Sequence, residues 1–150
     1  MSYKGKYKVK NISKYKGDPT NCIFRSLWER KFMKFCDESE NIISWSSEEI
    51  VIPYRSPLDG RIHRYFMDFW MKIKTKDGGV KNFLVEIKPY SQTIPPVIKE
   101  GTKMTPTKMR QIKSYALNVE KWKAAKNFCD DRNWSFLIMT EKQLFGKRNK

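Results

Sequence analysis

The chain has 150 residues, 39% of them hydrophobic and 14% aromatic, which suffices for one domain with a real core and argues against disorder. Its 31 Lys and Arg against 16 Asp and Glu give a formal net charge of +15, which attracts polyanions and makes nucleic acid the leading candidate partner. Three cysteines without a CxxC pair and a single histidine exclude a disulfide framework and a thiolate zinc cluster.

Residues 1–20 form a basic segment in which tyrosines alternate with lysines. The lysines are Lys4, Lys6, Lys8, Lys10, Lys14 and Lys16. Because lysines bind phosphates and aromatic rings stack on bases, we predict a basic N-terminal arm that binds DNA. A solvated flexible tail is the alternative, and the two agree if the tail orders on binding. A basic tail at residues 146–150 leaves residues 21–145 as the folded domain.

Ser26 and Glu29 have the spacing of a capping box, which predicts a helix that begins near Ser26. Trp28, Phe32 and Phe35 follow at helical spacing. This spacing is typical of the helix face that packs on a core.

Strand patterns dominate the next part of the chain. Residues 42–54 are strand-rich, and residues 56–60 have the proline and glycine of a turn. A long strand is predicted from about Arg61 to Thr75, then a glycine-containing hairpin turn at residues 76–79. A further strand runs from about Val80 to Lys88 and ends before a proline.

The remainder predicts a long loop, a helix and a last strand. Residues 89–106 form a loop whose length indicates a functional role. A helix follows from Thr107 to about Arg132, with a break expected near Asn118, and residues 134–140 have strand composition. The predicted fold class is therefore α/β (α+β), with a mixed central sheet flanked by helices.

Two carboxylates and a lysine fall within the predicted hairpin. Glu86 and Lys88 lie two residues apart and share one strand face, and a suitable register brings Asp68 beside Glu86. Adjacent buried acids repel each other, and a hard divalent cation with oxygen ligands relieves that repulsion. We therefore hypothesise a Mg²⁺ site, with Mn²⁺ as a substitute. A simple salt bridge from Lys88 to either acid is the alternative.

Asp68 followed after a hairpin by Glu86-Ile87-Lys88 resembles the PD-(D/E)xK signature of restriction-endonuclease-like nucleases, although Met67 replaces the family's proline. The resemblance implies a restriction-endonuclease-like core in the order αβββαβ. It also implies that the two acids bind Mg²⁺, that the backbone carbonyl of Ile87 joins the metal shell, and that the lysine assists the attacking water.

Three further positions match features of such nucleases. Glu29 matches an acid that many members carry on the first helix, and the resemblance implies a catalytic role, although helix capping explains the residue equally well. Gln111 and Tyr115 resemble the QxxxY motif, which implies that they position DNA or water. An ordinary amphipathic helix is the alternative for this pair.

Longer segments are similar to a narrower family, the head completion nucleases of large contractile-tailed phages. They are KNISKYKGDPTN, RSLWERKF, WSSEEIVIPY, RYFMDFWMKI, VEIKP and NVEKWKAAKNFC, and together they span nearly the whole chain. The resemblance implies a Mg²⁺-dependent deoxyribonuclease that processes packaged DNA before heads join tails. The four-residue set Glu29, Asp68, Glu86 and Lys88 is also similar to the nuclease subunit of some bacterial transposases.

The expected partners follow from this resemblance. They are double-stranded DNA, phage head, portal or neck proteins, and a second copy of the chain, because cutting both strands often needs two active sites. We expect no membrane association, no small-molecule cofactor, and a location in the host cytoplasm during assembly, with retention in the virion left open. Two alternatives remain: a non-enzymatic DNA-binding head-joining protein, and a structure-selective endonuclease that cuts branched DNA.

Overall fold

The computed structural model describes residues 4–146, so residues 1–3 and 147–150 of the two predicted terminal segments lie outside it. The helices and strands are, in chain order, β1 (Gly5–Lys6), β2 (Ile23–Phe24), α1 (Leu27–Glu38), β3 (Ile42–Ser47), β4 (Val51–Arg55), β5 (Ile62–Phe66), β6 (Phe69–Lys74), β7 (Val80–Ile87), α2 (Pro106–Arg132), β8 (Ser135–Met139) and α3 (Glu141–Phe145).

A four-stranded mixed sheet forms the centre of the domain, with the strands in the order β3-β6-β7-β8. β6 is antiparallel to both of its neighbours, β3 and β7, and β8 is parallel to β7. Along the chain, α1, β3, β6, β7, α2 and β8 follow one another. The predicted order αβββαβ and the mixed central sheet are therefore confirmed, with the β4–β5 ribbon inserted between the first two core strands.

The single strand predicted from Arg61 to Thr75 is wrong, because the chain changes partners at Met67 and Asp68. β5 pairs with β4 in a separate two-stranded ribbon, and β6 belongs to the central sheet. At the break, the Met67 N–H donates to the Ile50 carbonyl, and the Asp68 carbonyl accepts from the Glu48 N–H. Asp68 thus sits at the fork between the ribbon and the sheet.

Helix α2 is continuous, so the break predicted near Asn118 does not occur. Thr105 caps its beginning by accepting a hydrogen bond from the Lys108 N–H, and Asn133 ends it in the left-handed conformation at φ 60°. Asn118 is buried on the inner side of the helix, where tertiary packing outweighs its modest helix propensity. Across residues 4–146, no helix combines the length and apolarity needed to cross a membrane.

Two cores pack against the central sheet, one near α1 and one near α2. The first contains Phe32, Met33 and Cys36 of α1 together with Trp45 and Phe69 of the sheet. The second is built from Ile52, Tyr54, Tyr65, Met67, Leu84, Ala125 and Cys129. Phe35 was predicted to face the core, but 51% of it is exposed, because the buried face of α1 runs through Met33 and Cys36 instead.

The N-terminal segment packs into the domain along the part that the structure describes. Tyr7, Val9 and Tyr15 are buried in the core near α1, and β1 pairs with β2. Asp37 of α1 accepts hydrogen bonds from the Tyr7 hydroxyl and from backbone N–H groups of the same segment. Residues 4–20 are therefore built into the fold, unlike the separate arm or the solvated tail expected from composition.

Candidate active site

Asp68 and Glu86 meet at the fork between the ribbon and the sheet. Phe69 of β6 pairs with Val85 of β7, and extending this register by one residue places Asp68 opposite Glu86. Residues opposite each other in an antiparallel pair have Cβ atoms about 4.5–5.5 Å apart and point to the same face. Asp68 Oδ2 also accepts a hydrogen bond of 2.8 Å from the Ile87 N–H, which holds the carboxylate at β7.

Lys88 extends β7 by one residue toward the same cluster. Its backbone N–H donates to the Met139 carbonyl at 3.0 Å, which continues the pairing with β8. Its Nζ lies 3.3 Å from Glu86 Oε2, and both side chains are largely shielded, at 22% and 7% exposure. The salt bridge considered as an alternative is therefore present, but it involves Glu86, and within residues 4–146 no lysine pairs with Asp68.

The surroundings of Asp68 disfavour the ionised form of its carboxyl group. Burial, first, and the neighbouring Glu86 carboxylate raise the pKa of Asp68 well above its usual range, and Glu29 adds to the effect. The Ile87 N–H and the Lys88 ammonium oppose this rise without overcoming it. Ionised Asp68 would therefore add a negative charge beside Glu86 that these groups do not offset, and an added cation would relieve that repulsion.

Glu29, at the beginning of α1, lies close enough to the cluster for its charge to act on Asp68 and Glu86. Its N–H donates to Ser26 Oγ at 3.1 Å, as predicted, but its carboxylate accepts from the Arg25 N–H at 2.9 Å and forms no reciprocal capping bond to Ser26. Burial raises the pKa of Glu29, and the charge of Glu86 raises it further. Only half of the capping box forms, so capping does not fully account for the carboxylate.

Tyr65 is a member of the cluster that the sequence did not single out. It is 4% exposed, and its hydroxyl donates a hydrogen bond of 2.5 Å to Glu86 Oε1. Burial and the Glu86 charge both raise the pKa of Tyr65, so the group stays a proton donor. The contact depends on the break at Met67, which separates β5 from the central sheet and which no local sequence pattern indicates.

The oxygen donors of this cluster suit an open magnesium site better than a site in which protein side chains surround the ion. Among residues 4–146, no three His, Cys, Asp or Glu side chains lie close enough to hold an ion by themselves. Mg²⁺ commonly binds through one or two carboxylates and keeps several waters or substrate phosphate oxygens. Asp68 and Glu86 could supply those carboxylates, and the backbone carbonyl of Ile87 stays the expected additional donor.

The QxxxY pair lies on the N-terminal half of α2 and faces the loop that follows β7. Gln111 and Tyr115 line a cleft with Ser91 and Gln92, which belong to the loop directly after Lys88. This position is compatible with the expected role in holding DNA.

The predicted DNA-binding lysines fall into two groups. Lys10 pairs with Glu38 at 2.9 Å, and Lys14 Nζ donates to the carbonyls of Asp37 and Ser39 at the C-terminal end of α1. That end lies roughly 12 Å along the helix from Glu29, so the structure does not bring these two to the acids. The exposed remainder consists of Lys4, Lys6, Lys8 and Lys16.

The chain is similar to known nucleases. Residues 39–141 match the family model of the TnsA-like endonuclease N-terminal domain, a range that includes the strand acids and Lys88 but not Glu29. The chain is 44% identical over 147 residues to the head completion nuclease of Enterobacteria phage T4, covering 96% of this chain and 95% of that protein. No solved structure matches the chain significantly.

Proposed function

The chain belongs to the TnsA-like endonucleases and to the phage head completion nucleases, and from this membership we propose that it is a metal-dependent deoxyribonuclease that processes packaged DNA before heads join tails. The observation that carries the proposal is the convergence of Asp68, Glu86 and Lys88 at the fork of the sheet. A nuclease must stabilise the charge that develops at the phosphate it cuts. The cluster brings together two carboxylates, which can hold a cation, and one ammonium group.

The proposed chemistry divides among the residues at the fork. Asp68 and Glu86, with the Ile87 carbonyl, would hold Mg²⁺, with Mn²⁺ as a substitute. When bound, the ion supplies a polarised phosphoryl oxygen and a water of lowered pKa. Lys88 orients the attacking water and stabilises negative charge that grows on the phosphate. Glu29 supports the metal or accepts a proton.

The DNA backbone would be held by the exposed lysines. Lys6 and Lys8 line a groove of about 550 Å³ together with Arg30 and Lys34 of α1. This groove adds two cations to the predicted set and suits a sequence-independent phosphate track. We assign Lys10 and Lys14 a structural role, because their ammonium groups already bind atoms of the fold.

Partners and location follow from the proposed role. The substrate would be double-stranded DNA in the infected host cytoplasm, where heads are assembled. Contacts with head, portal or neck proteins are part of the proposal. So is a second copy of the chain, because two active sites would cut both strands of a duplex.

Cleavage of linear, circular and branched duplex DNA in Mg²⁺ and in EDTA tests the proposed activity. We expect cutting in Mg²⁺ and intact DNA in EDTA, because the carboxylates alone provide no Lewis acid to polarise the phosphate. DNA that is bound yet intact in both buffers would favour the head-joining alternative. Cutting confined to branched DNA would favour the structure-selective one.

Tyr65→Phe is expected to lower the affinity for Mn²⁺ by about 10–100-fold, since partners that orient a metal ligand typically contribute that much. The loss of the hydroxyl frees Glu86 Oε1 to rotate, while the buried ring is kept. Isothermal titration with Mn²⁺ measures the affinity directly, and cleavage against metal concentration should shift in parallel.

The matched control is Tyr54→Phe in the same ribbon core. The two rings lie 6.4 Å apart, and the Tyr54 hydroxyl makes no hydrogen bond with any residue of the described range 4–146. We expect wild-type metal affinity in this variant. Equal affinities in both variants would contradict a positioning role for Tyr65.

A further inference from the structure

A cleft with a volume of about 380 Å³ lies between the loop after β7 and the N-terminal half of α2. Its size falls within the range of roughly 300–1,000 Å³ that small-molecule sites occupy. The loop side contributes Gln92, Ile94 and Pro96, and the helix side contributes residues one and two turns apart on a single face. The cleft is distinct from the carboxylate cluster but adjoins it.

Three amide side chains converge on this cleft: Gln92, Gln111 and Asn118. None of them hydrogen-bonds to another group between residues 4 and 146, although Asn118 is only 9% exposed. Each amide presents a donor and an acceptor side by side. Polar groups that converge unpartnered in a concave site are suited to a ligand with complementary hydrogen-bonding edges.

The other lining residues suit a flat ring carrying a phosphate. Tyr115 provides an aromatic ring, and Ile94 and Pro96 provide apolar surface. Arg110 provides a permanent cation at the same cleft. Amides that read a base edge, a ring that stacks on its face and a cation for its phosphate are the features by which proteins bind unstacked nucleotides.

The position of the cleft relates it to the phosphate that would be cut. Ser91 on its wall follows Lys88 by three residues, a span of at most roughly 10 Å. On the helix side, Asn118 lies one turn from Lys121, whose Nζ lies 5.4 Å from the Tyr65 ring centroid. Tyr65 in turn bonds Glu86, so the helix wall is linked to the acids through Lys121 and Tyr65.

We propose that this cleft receives one unstacked nucleotide of the DNA beside the scissile phosphate, so that the protein prefers DNA with an unpaired end over fully paired duplex. The inference rests on the proposed nuclease function and names the substrate feature that its site selects. A paired base must first leave its stack, which costs free energy, whereas an unpaired terminal base enters the cleft without that cost.

The test is DNA binding in EDTA, measured by fluorescence anisotropy, so that no cleavage is needed. The ligands are a blunt duplex, the same duplex with one unpaired terminal nucleotide at the 3′ or the 5′ end, and the overhang duplexes with an abasic terminal nucleotide. We expect about tenfold tighter binding of one base-carrying overhang than of its abasic counterpart, as one stacked base can contribute. The abasic control has the same phosphate charge.

Gln111→Ala and Asn118→Ala should each remove that preference, so that each variant binds base-carrying and abasic overhang duplexes with equal affinity. Asn127→Ala, an exposed amide on the same helix, should keep the preference. Gln111 is exposed, so its variant folds even where Asn118→Ala does not, and circular dichroism checks both.

Equal affinity of the wild type for base-carrying and abasic ends would overturn the inference, as would a preference that survives Gln111→Ala. Either result leaves the nuclease proposal intact if the protein still binds and cuts duplex DNA. Failure to bind any DNA would instead refute both.

Discussion

Glu86→Gln and Asp68→Asn are each expected to lower the rate of DNA cleavage by on the order of a thousandfold or more, with the Kd for duplex DNA within about threefold of wild type. Each amide keeps the shape of the side chain and removes the negative charge that would hold the metal. DNA binding depends on the exposed cations and the net charge of +15, so it should persist or tighten slightly.

Single-turnover cleavage at saturating Mg²⁺ measures the rate, and a filter-binding titration in EDTA measures the affinity. Glu120→Gln serves as the control, because this residue is a carboxylate of α2 that pairs with the exposed Lys123 at 3.4 Å, far from the strand acids in the sequence. It should cut at the wild-type rate. Cleavage by Asp68→Asn at that same rate would remove the basis for the metal site.

The Asp68→Asn substitution offers an independent check on the electrostatics of Asp68. The pKa of this carboxyl is raised in the folded protein, through burial and the charge of Glu86, so the ionised form costs stability at pH values above both the folded and unfolded pKa. A neutral amide at this position would remove that cost. The variant should therefore unfold at a higher temperature than wild type at neutral pH without metal, as measured by circular dichroism.

The carboxylate pair could be predicted from the sequence because a local signal determines its geometry. Gly78 adopts φ 88° in the turn between β6 and β7, a conformation that glycine adopts readily. A hairpin with a fixed turn has a fixed register, and side chains alternate along each strand. Asp68 and Glu86 therefore become neighbours through short-range rules alone.

Tyr65 could not be predicted in the same way, because its place depends on a change of strand partner. The residues around Tyr65 and those around Phe69 are equally typical of a strand, and no local pattern marks Met67 as a break. The break is set by where β3 ends and β4 begins, which is a tertiary property, because Ser47 pairs with Phe69 and Val51 with Phe66. The prediction of one continuous strand therefore assigned residues 62–66 to the same strand as β6, although they belong to the ribbon.

The N-terminal segment shows the opposite error, in which charge concealed a buried pattern. Tyr7 and Val9 alternate with lysines and face the core, so the stretch has the period of a strand with one buried side. The lysine content suggested an arm. The contact that decides its position is made by Asp37, whose partners lie 26 to 30 residues earlier in the chain and leave no local signal.

Asp37→Ala is expected to lower the free energy of unfolding by about 3–5 kcal/mol, a large share of the stability of a small domain. The carboxylate is fully buried and accepts hydrogen bonds from the Tyr7 hydroxyl and the Lys10 N–H at 2.8 Å each, and from the Asn11 N–H at 3.0 Å. Alanine would leave these three donors without their acceptor. Urea unfolding at pH 7 measures the loss.

Glu38→Ala is the matched control, since the neighbouring acid pairs with Lys10 in the open, where such a bridge contributes at most about 1 kcal/mol. A loss no larger for Asp37→Ala than for Glu38→Ala would show that Asp37 does not hold the N-terminal segment.

The pH dependence of stability gives the same prediction a second measurement. Burial alone would raise the pKa of Asp37, but the Lys10 and Asn11 N–H groups and the Tyr7 hydroxyl outweigh it and hold the folded pKa below its usual value. A depressed folded pKa means that the contribution of Asp37 is complete above the unfolded pKa of about 3.9 and is lost as the pH falls through the folded value. The difference in free energy of unfolding between wild type and Asp37→Asn should therefore shrink as the pH falls below about 4. A difference that stays constant with pH would assign the effect to packing and not to the carboxylate charge.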